Sequence, residues 1–330
     1  MIDVAIVGVS GFTGLELIKI LSSHPEFNIT YLGASEDYES ISDIHPSLKG
    51  VFSGNVKKAD SKDISKVAIL TFLALPHKAS MGFAKELLEL GVKVVDLSAD
   101  YRLKLETYEK YYCPHIDKEH LNQSVYGLPE MFKEDIKKAS LVANPGCYPT
   151  ATILGLLPFL NLRDERFPVM IDAKSGVSGA GKKCSETTHY AKINENCFSY
   201  APLTHRHTPE IKEKLGIEDI AFAPHLLPIT RGMLVDSYLL LKEEIDPLAV
   251  LKEYYKDEKF VRIYEKPVDI KSSSGTNFCD IFAISEGKKL FISVSIDNLL
   301  RGASSQAVVN ANLMCGFSED LGIPKLSYIP

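Results

Sequence analysis

A cysteine set in a proline-glycine turn is the residue of this sequence best suited to covalent chemistry. It lies in Ala143-Asn144-Pro145-Gly146-Cys147-Tyr148-Pro149-Thr150, after an apolar run, 140–143, that reads as the end of a strand, and before residues 151–157, which read as the opening of a buried helix. Asn-Pro-Gly forces a tight turn, because proline fixes one backbone angle and glycine tolerates conformations a side chain forbids. Pro149 suits a first helical turn, where its missing N–H costs nothing. Cys147 is therefore expected at the positive end of a helix, among backbone donors that favour thiolate over thiol. A cysteine used only for packing needs neither the glycine before it nor the proline two places after.

A second cluster is His205-Arg206-His207-Thr208-Pro209-Glu210. Six residues supply a group for general acid-base work, an arginine able to clamp a carboxylate, and an orienting carboxylate in Glu210. His-x-His can also chelate zinc, but the remaining ligands are missing nearby, and no metal site is expected. A third is Gly8-Val9-Ser10-Gly11-Phe12-Thr13-Gly14, preceded by the β-branched run 2–7 and followed by apolar residues at helical spacing. Strand, glycine turn and helix is the context of a dinucleotide fingerprint, in which the glycines let a pyrophosphate approach backbone and helix end. The spacing Gly-x-x-Gly-x-x-Gly departs from the usual one. Gly8, Ser10, Gly11, Phe12, Thr13 and Gly14 are the expected cofactor contacts, with Ser35 a neutral donor after the second strand. Glu36 and Asp37 follow it, and acidic residues there suit the ribose hydroxyls of NAD.

The elements needed to position these residues are legible as alternation. Strands are expected at 28–34, 67–74 and 92–97, with helices between, implying a doubly wound parallel sheet. Ligands sit beyond the carboxyl ends of such strands, where His77, Ser98, Asp100, Arg102 and Cys147 fall. After Cys147 the texture changes. A strand at 169–174 meets the loop Ser175-Gly176-Val177-Ser178-Gly179-Ala180-Gly181-Lys182, whose exposed amides suggest an anion-binding nest including Ser178 and Gly179. Alternating runs at 233–241, 280–285 and 289–296 suggest a mixed or antiparallel sheet, with a helix between Pro247 and Tyr255. A small-residue helix at 308–315 is expected to pack back on the first domain. The expected architecture is α/β: a Rossmann-type cofactor domain, 1–146 with 300–330, and an α+β catalytic and oligomerisation domain, 147–299.

Composition narrows the function classes. The 330 residues are 45% hydrophobic, enough for two cores, and the net charge of −6 with scattered Lys and Arg leaves no footprint for nucleic acid. Six cysteines without Cys-x-x-Cys spacing argue against zinc or a disulfide framework. No signal-peptide pattern or membrane-length apolar run is present, so a cytoplasmic location is expected.

Read together, these segments resemble the N-acetyl-gamma-glutamyl-phosphate reductase family of the aspartate-semialdehyde dehydrogenase superfamily. The resemblance covers the whole chain and also rests on Ala74-Leu75-Pro76-His77, Asp96-Leu97-Ser98-Ala99-Asp100-Tyr101-Arg102, Tyr126-Gly127-Leu128-Pro129-Glu130 and Arg301-Gly302-Ala303. It implies NADPH-dependent reduction of N-acetylglutamyl 5-phosphate to the semialdehyde in arginine biosynthesis, with phosphate released, by a homodimer or homotetramer. Carried over, it makes Cys147 the nucleophile and places the acid-base in the His205–His207 pair, His207 being favoured. Arg206 or Arg102 is expected to bind the substrate carboxylate. NADP is thus implied by resemblance, while Glu36 and Asp37 keep NAD open. The rivals are a reductase of a related acyl phosphate, such as aspartyl or carrier-linked glutamyl or aminoadipyl phosphate, a glyceraldehyde-type phosphorylating dehydrogenase, which lacks this histidine segment, and a non-catalytic dinucleotide-sensing module.

Overall fold

Two kinds of strand occur, and their burial separates the halves of the chain. In the computed structural model, which describes residues 1–328, β1 (Ile2–Val7), β4 (Leu70–Leu73) and β5 (Lys93–Asp96) are apolar almost throughout and buried on both faces. With β2 (Phe27–Ala34), β3 (Val56–Lys58), β6 (Val125–Tyr126) and β7 (Leu141–Ala143) they form a seven-stranded sheet in the order β3-β2-β1-β4-β5-β7-β6. All its pairings are parallel. Parallel strands need helical crossovers, which cover both faces and exclude water from every side chain. The doubly wound sheet expected from alternation is present. The short edge strands β3 and β6 were not anticipated, because two or three residues carry no readable period.

The second group alternates. β8 (Val169–Gly176), β10 (Ile220–Leu227) and β11 (Met233–Leu240) bury every other residue, so only one face is covered by helices. They join β9 (Phe198–Ser199), β12 (Val261–Ile263), β13 (Cys279–Glu286) and β14 (Lys289–Ile296) in the order β12-β13-β14-β11-β8-β10-β9. The sheet is mixed. β8 pairs parallel with β10 and antiparallel with β11. The helix Cys147–Leu156 packs on β11 and β14, close enough that a side chain on Gly155 would meet Val294. Its Ile153 and Leu154 are sealed from solvent, each such side chain contributing roughly 1.5–3 kcal/mol.

The chain divides into two compact units, residues 1–146 with 303–324, and 147–302 with the chain from Lys325 on. The return falls between Gly302 and Ala303 rather than at 299/300, and the segment from Lys325 groups with the second unit rather than the first. The helix Ser304–Met314 is buried on every side and packs against the helix Phe12–Leu21, with Ser304 Oγ donating to the carbonyl of Thr13 at 3.1 Å. It begins four residues earlier than its apolar pattern suggests, because Ser304, Ser305 and Gln306 are polar yet buried.

Candidate functional site

In the first unit the glycine turn seats itself on β2: the N–H groups of Gly8 and Val9 both donate to the carbonyl of Gly33, at 2.8 and 3.1 Å. Gly8 has φ +93°, and a Cβ there would come within 2.2 Å of the Ala74 carbonyl oxygen. A Cβ on Gly14 would lie 2.4 Å from the Gly8 carbonyl oxygen. Gly11 caps the helix Phe12–Leu21. The requirement for glycine is therefore one of close backbone approach as well as of turn conformation, and the resulting turn opens onto a helix N-terminus that can take a pyrophosphate. Ser10, Phe12 and Thr13 are half-buried along this turn, and Ser35 is exposed at the end of β2.

The loops after β4 and β5 brace one another. His77 Nδ1 accepts from the N–H of Ala99 at 2.9 Å, and the buried Asp100 accepts from the N–H groups of Lys78 and Met81 and from the Tyr108 hydroxyl. Asp96, fully buried, accepts from the Ser80 and Ser98 hydroxyls; burial and then the charge of Asp100 push its carboxyl up to about 6. Arg102 is buried and donates through Nε to the Asn144 carbonyl at 2.7 Å and through Nη2 to the Leu97 carbonyl at 2.8 Å. It braces the turn just ahead of Pro145 and Gly146.

In the second unit Cys147 is the first residue of the helix Cys147–Leu156 and is half-buried, as the turn chemistry implied. Its other neighbour is Gly302. A Cβ on Gly302 would fall 2.5 Å from the Cys147 Cβ and 2.5 Å from the Asn298 carbonyl oxygen. The turn that delivers Gly302 is built on the buried Asp297, which accepts from the N–H groups of Gly275, Leu299 and Leu300 and pairs with Arg231 at 3.1 Å.

The histidines assemble around Tyr148, the residue after Cys147. Ring centroids lie 5.6 Å from Tyr148 to His205, 5.8 Å from Tyr148 to His207 and 4.8 Å between the two histidines. The Tyr200 hydroxyl donates to that of Tyr148 at 3.1 Å, which donates to the His225 carbonyl at 3.3 Å. Burial pushes Tyr200 up to about 12, the interaction with the Cys147 sulfur adding to the rise; burial also raises Tyr148, with Tyr200 and Cys147 contributing. These phenols were not singled out in the sequence, where tyrosine marks cores and surfaces alike. Arg206 is exposed, and Glu210 is buried in the first turn of the helix Thr208–Leu215.

The two histidines differ. His205 Nδ1 accepts from the N–H of His207 at 3.2 Å, and burial, with the Arg206 charge second, pushes His205 down to about 4 from 6.5. His205 is thus a neutral ring with its proton on Nε2. The unfolded chain binds more protons at this residue between those two values, so its contribution to stability is lost as pH falls from about 6.5 towards 4. His205→Gln is expected to flatten that part of the melting-temperature profile. Asp96 titrates in the same window with the opposite sign and is common to both proteins, so the difference between their profiles isolates His205; superimposable profiles would show that this ring is not buried.

The glycine-serine loop differs from expectation. Residues Val177–Ala180 form a 3₁₀ turn, and the N–H groups of Gly176, Val177, Ser178 and Gly181 donate to the carbonyls of Gly232, Ile229, Thr230 and Ser178. With those four amides engaged, the loop is held as a fixed ledge. Asn298 ties it down, donating to Ser178 Oγ at 3.0 Å and accepting from the N–H of Gly232 at 2.7 Å. Gly179 faces Ser175 closely enough that a Cβ would approach its hydroxyl to 3.2 Å. Among the described residues no group of three or more His, Cys, Asp or Glu could hold a metal ion, and no helix is long and apolar enough to cross a membrane.

Comparison with known proteins matches residues 3–139 to the family model "Semialdehyde dehydrogenase, NAD binding domain" and residues 147–298 to "Semialdehyde dehydrogenase, dimerisation domain". The chain is 58% identical over 335 residues to N-acetyl-gamma-glutamyl-phosphate reductase of Sulfurovum sp. (strain NBC37-1), covering 100% of both chains. It is 56% identical to the protein of that name from Sulfurimonas denitrificans, covering 100% of this chain and 99% of the other. The fold is that of aspartate semialdehyde dehydrogenase II from Vibrio cholerae, with a TM-score of 0.71 at 16% identity over 96% of this chain and 98% of that one.

Proposed function

The chain belongs to the N-acetyl-gamma-glutamyl-phosphate reductase family, and on that premise we propose that it reduces N-acetyl-L-glutamyl 5-phosphate to the 5-semialdehyde, releasing phosphate, in arginine biosynthesis. The observation that carries this reading is Cys147 at the opening of a buried helix, beside a phenol ringed by two histidines. The glycine turn, in which side chains on Gly8 and Gly14 would collide with backbone, fits a nicotinamide dinucleotide, taken here as NADP. Gly8, Ser10, Gly11, Phe12, Thr13, Gly14 and Ser35 would hold it, with Ser178 and Gly179 serving the nicotinamide end or the departing phosphate. When bound, the nicotinamide supplies hydride.

The residues of the chain account for the remaining chemistry. Cys147 attacks the acyl carbon as thiolate; the carbon–oxygen bond to phosphate breaks and a thioester forms. Phosphate is a good leaving group, so no strong acid is needed to expel it. After reduction the tetrahedral adduct re-forms its C=O bond and returns the sulfur as thiolate, while His207 carries the proton that leaves the oxygen. His205, neutral and bonded to the His207 amide, positions that ring. Backbone N–H groups at the start of the Cys147–Leu156 helix would stabilise the oxyanion, at roughly 3–4 kcal/mol per donor. With Arg102 braced elsewhere, Arg206 is the arginine for the substrate carboxylate, and Glu210 fixes the first turn behind it. The test is phosphate-dependent reduction of NADP and of NAD with N-acetylglutamate semialdehyde, beside a panel of other semialdehydes; preference for another member would move the assignment to a related acyl phosphate.

The uncovered face of the second sheet, which lies in the region matched to a dimerisation domain, supports a homo-oligomer. Phe167, Met170, Tyr238, Ile284 and Phe291 line an apolar groove there, and four of these are exposed. Apolar side chains gathered on one uncovered sheet face suit a self-complementary contact with a second copy. Tyr238→Asp with Ile284→Asp is expected to shift the sedimentation coefficient to that of a smaller species; a wild-type value would place the contact elsewhere.

A further inference from the structure

Beyond Pro324 the chain joins the second unit, and its contacts there are specific. Ser327 Oγ donates at 2.8 Å to the carbonyl of Lys271, in the short helix Ile270–Ser273. Tyr328 lies against Gly275 so closely that a Cβ on that glycine would fall 2.5 Å from Cδ1 of the ring and 3.0 Å from the tyrosine nitrogen. The same ring lies over Arg231, whose guanidinium carbon is 5.6 Å from the ring centroid, within the range at which a cation is attracted to an aromatic face.

Gly275 and Arg231 share one acceptor. The Gly275 N–H donates to Asp297 Oδ2 at 2.6 Å, and Arg231 Nε lies 3.1 Å from that oxygen. The other carboxylate oxygen, Oδ1, accepts from the N–H groups of Leu299 and Leu300, both at 2.9 Å, and the Asp297 carbonyl accepts from the N–H of Gly302. Asp297 therefore joins the two residues under Tyr328 to the turn that places Gly302 against Cys147. The side chains of Arg231 and Asp297 are 12% and 0% exposed, and a pair so buried offsets its lost hydration only in good geometry. Tyr328 is 56% exposed, so its place is that of a cover rather than of a core residue.

We propose that the end of the chain is a strap and Tyr328 a positioning residue: its ring fixes Arg231 on Asp297 and so keeps the turn of Gly302 closed on the Cys147 side chain. No chemistry is assigned to the tyrosine itself. With Gly302 on one side, the Cys147 sulfur has few rotamers to visit and stays beside the N–H groups that open the helix Cys147–Leu156. The inference rests on the proposed reaction only in taking Cys147 as the nucleophile.

Tyr328→Ala in the full chain tests it by hydrogen exchange and by kinetics. The amides of Leu299, Leu300 and Gly302 are expected to exchange roughly tenfold faster than in wild type, with those of β8 and β11 unchanged. Turnover with N-acetylglutamate semialdehyde should fall about tenfold at an unaltered KM, and the pH midpoint of Cys147 alkylation should rise by roughly half a unit. Tyr328→Phe keeps the ring face and is expected to match wild type in all three. Unchanged exchange at 299–302 in Tyr328→Ala overturns the strap. So does faster exchange with an unmoved alkylation midpoint or, in an active protein, an unmoved kcat. Faster exchange spread through β8 and β11 would make the tyrosine part of general stability and overturn its positioning role, as would a Tyr328→Phe variant impaired like Tyr328→Ala. Local exchange and alkylation shifts in a protein that turns over no semialdehyde would sink the proposed reaction and leave the strap standing.

Discussion

Cys147→Ser is expected to lower reductase turnover by roughly 10⁴-fold or more, the scale on which loss of a covalent nucleophile acts, while dinucleotide affinity stays at the wild-type value. Serine keeps the size and helix-start position of the residue but not its acidity. A hydroxyl at this place has no means of ionising near neutral pH, whereas the thiol benefits from the helix N-terminus. None of the residues proposed to hold the dinucleotide is altered, so cofactor binding should be insensitive to the change. Peptide mapping after brief iodoacetamide treatment should find Cys147 labelled faster than the exposed Cys184 and Cys197, and that fast phase should disappear in the same variant. Substantial turnover by Cys147→Ser would remove the thioester mechanism, and a wild-type Cys147 no more reactive than the exposed Cys184 and Cys197 would favour a dinucleotide-sensing module over an enzyme.

His207→Asn is expected to reduce turnover by about 100-fold or more, and His205→Asn by less. The asymmetry comes from the hydrogen bond between them. His205 receives the amide of His207 on Nδ1 and is held neutral by burial, so it has little capacity to exchange a proton near neutrality. Asparagine at 205 can still accept from that amide. Its loss of ring contact with Tyr148 and Tyr200 would loosen the site without removing the proton carrier. Turnover against pH separates the roles: His207→Asn should abolish a limb that His205→Asn merely displaces. The reverse pattern, with His205 indispensable and His207 tolerant, would exchange the two assignments.

Much of this was readable before any fold was known, because the signals are local. Proline and glycine around Cys147 restrict the backbone within a few residues, so the turn and the helix beginning at the cysteine follow from sterics alone. Buried strands read as unbroken apolar runs, and half-buried ones as alternation, which separated the parallel sheet from the mixed one. The glycine turn needed only its flanking strand and helix.

What the tertiary structure decided involves partners distant in the chain. Arg102 looked available for a carboxylate until the Asn144 and Leu97 carbonyls appeared against it; an arginine in a loop has no local mark that distinguishes a brace from a clamp. The 175–181 loop reads locally as open amides, and only the fold shows three of them donating to the 229–232 segment and the Ser178 hydroxyl accepting from Asn298. Gly302 is required because Cys147 stands against it. Chain sterics and hydrophobic period act over a few residues and are written in order along the sequence, whereas burial, hydrogen-bond partnership and electrostatic neighbourhood depend on which remote segments the fold brings together.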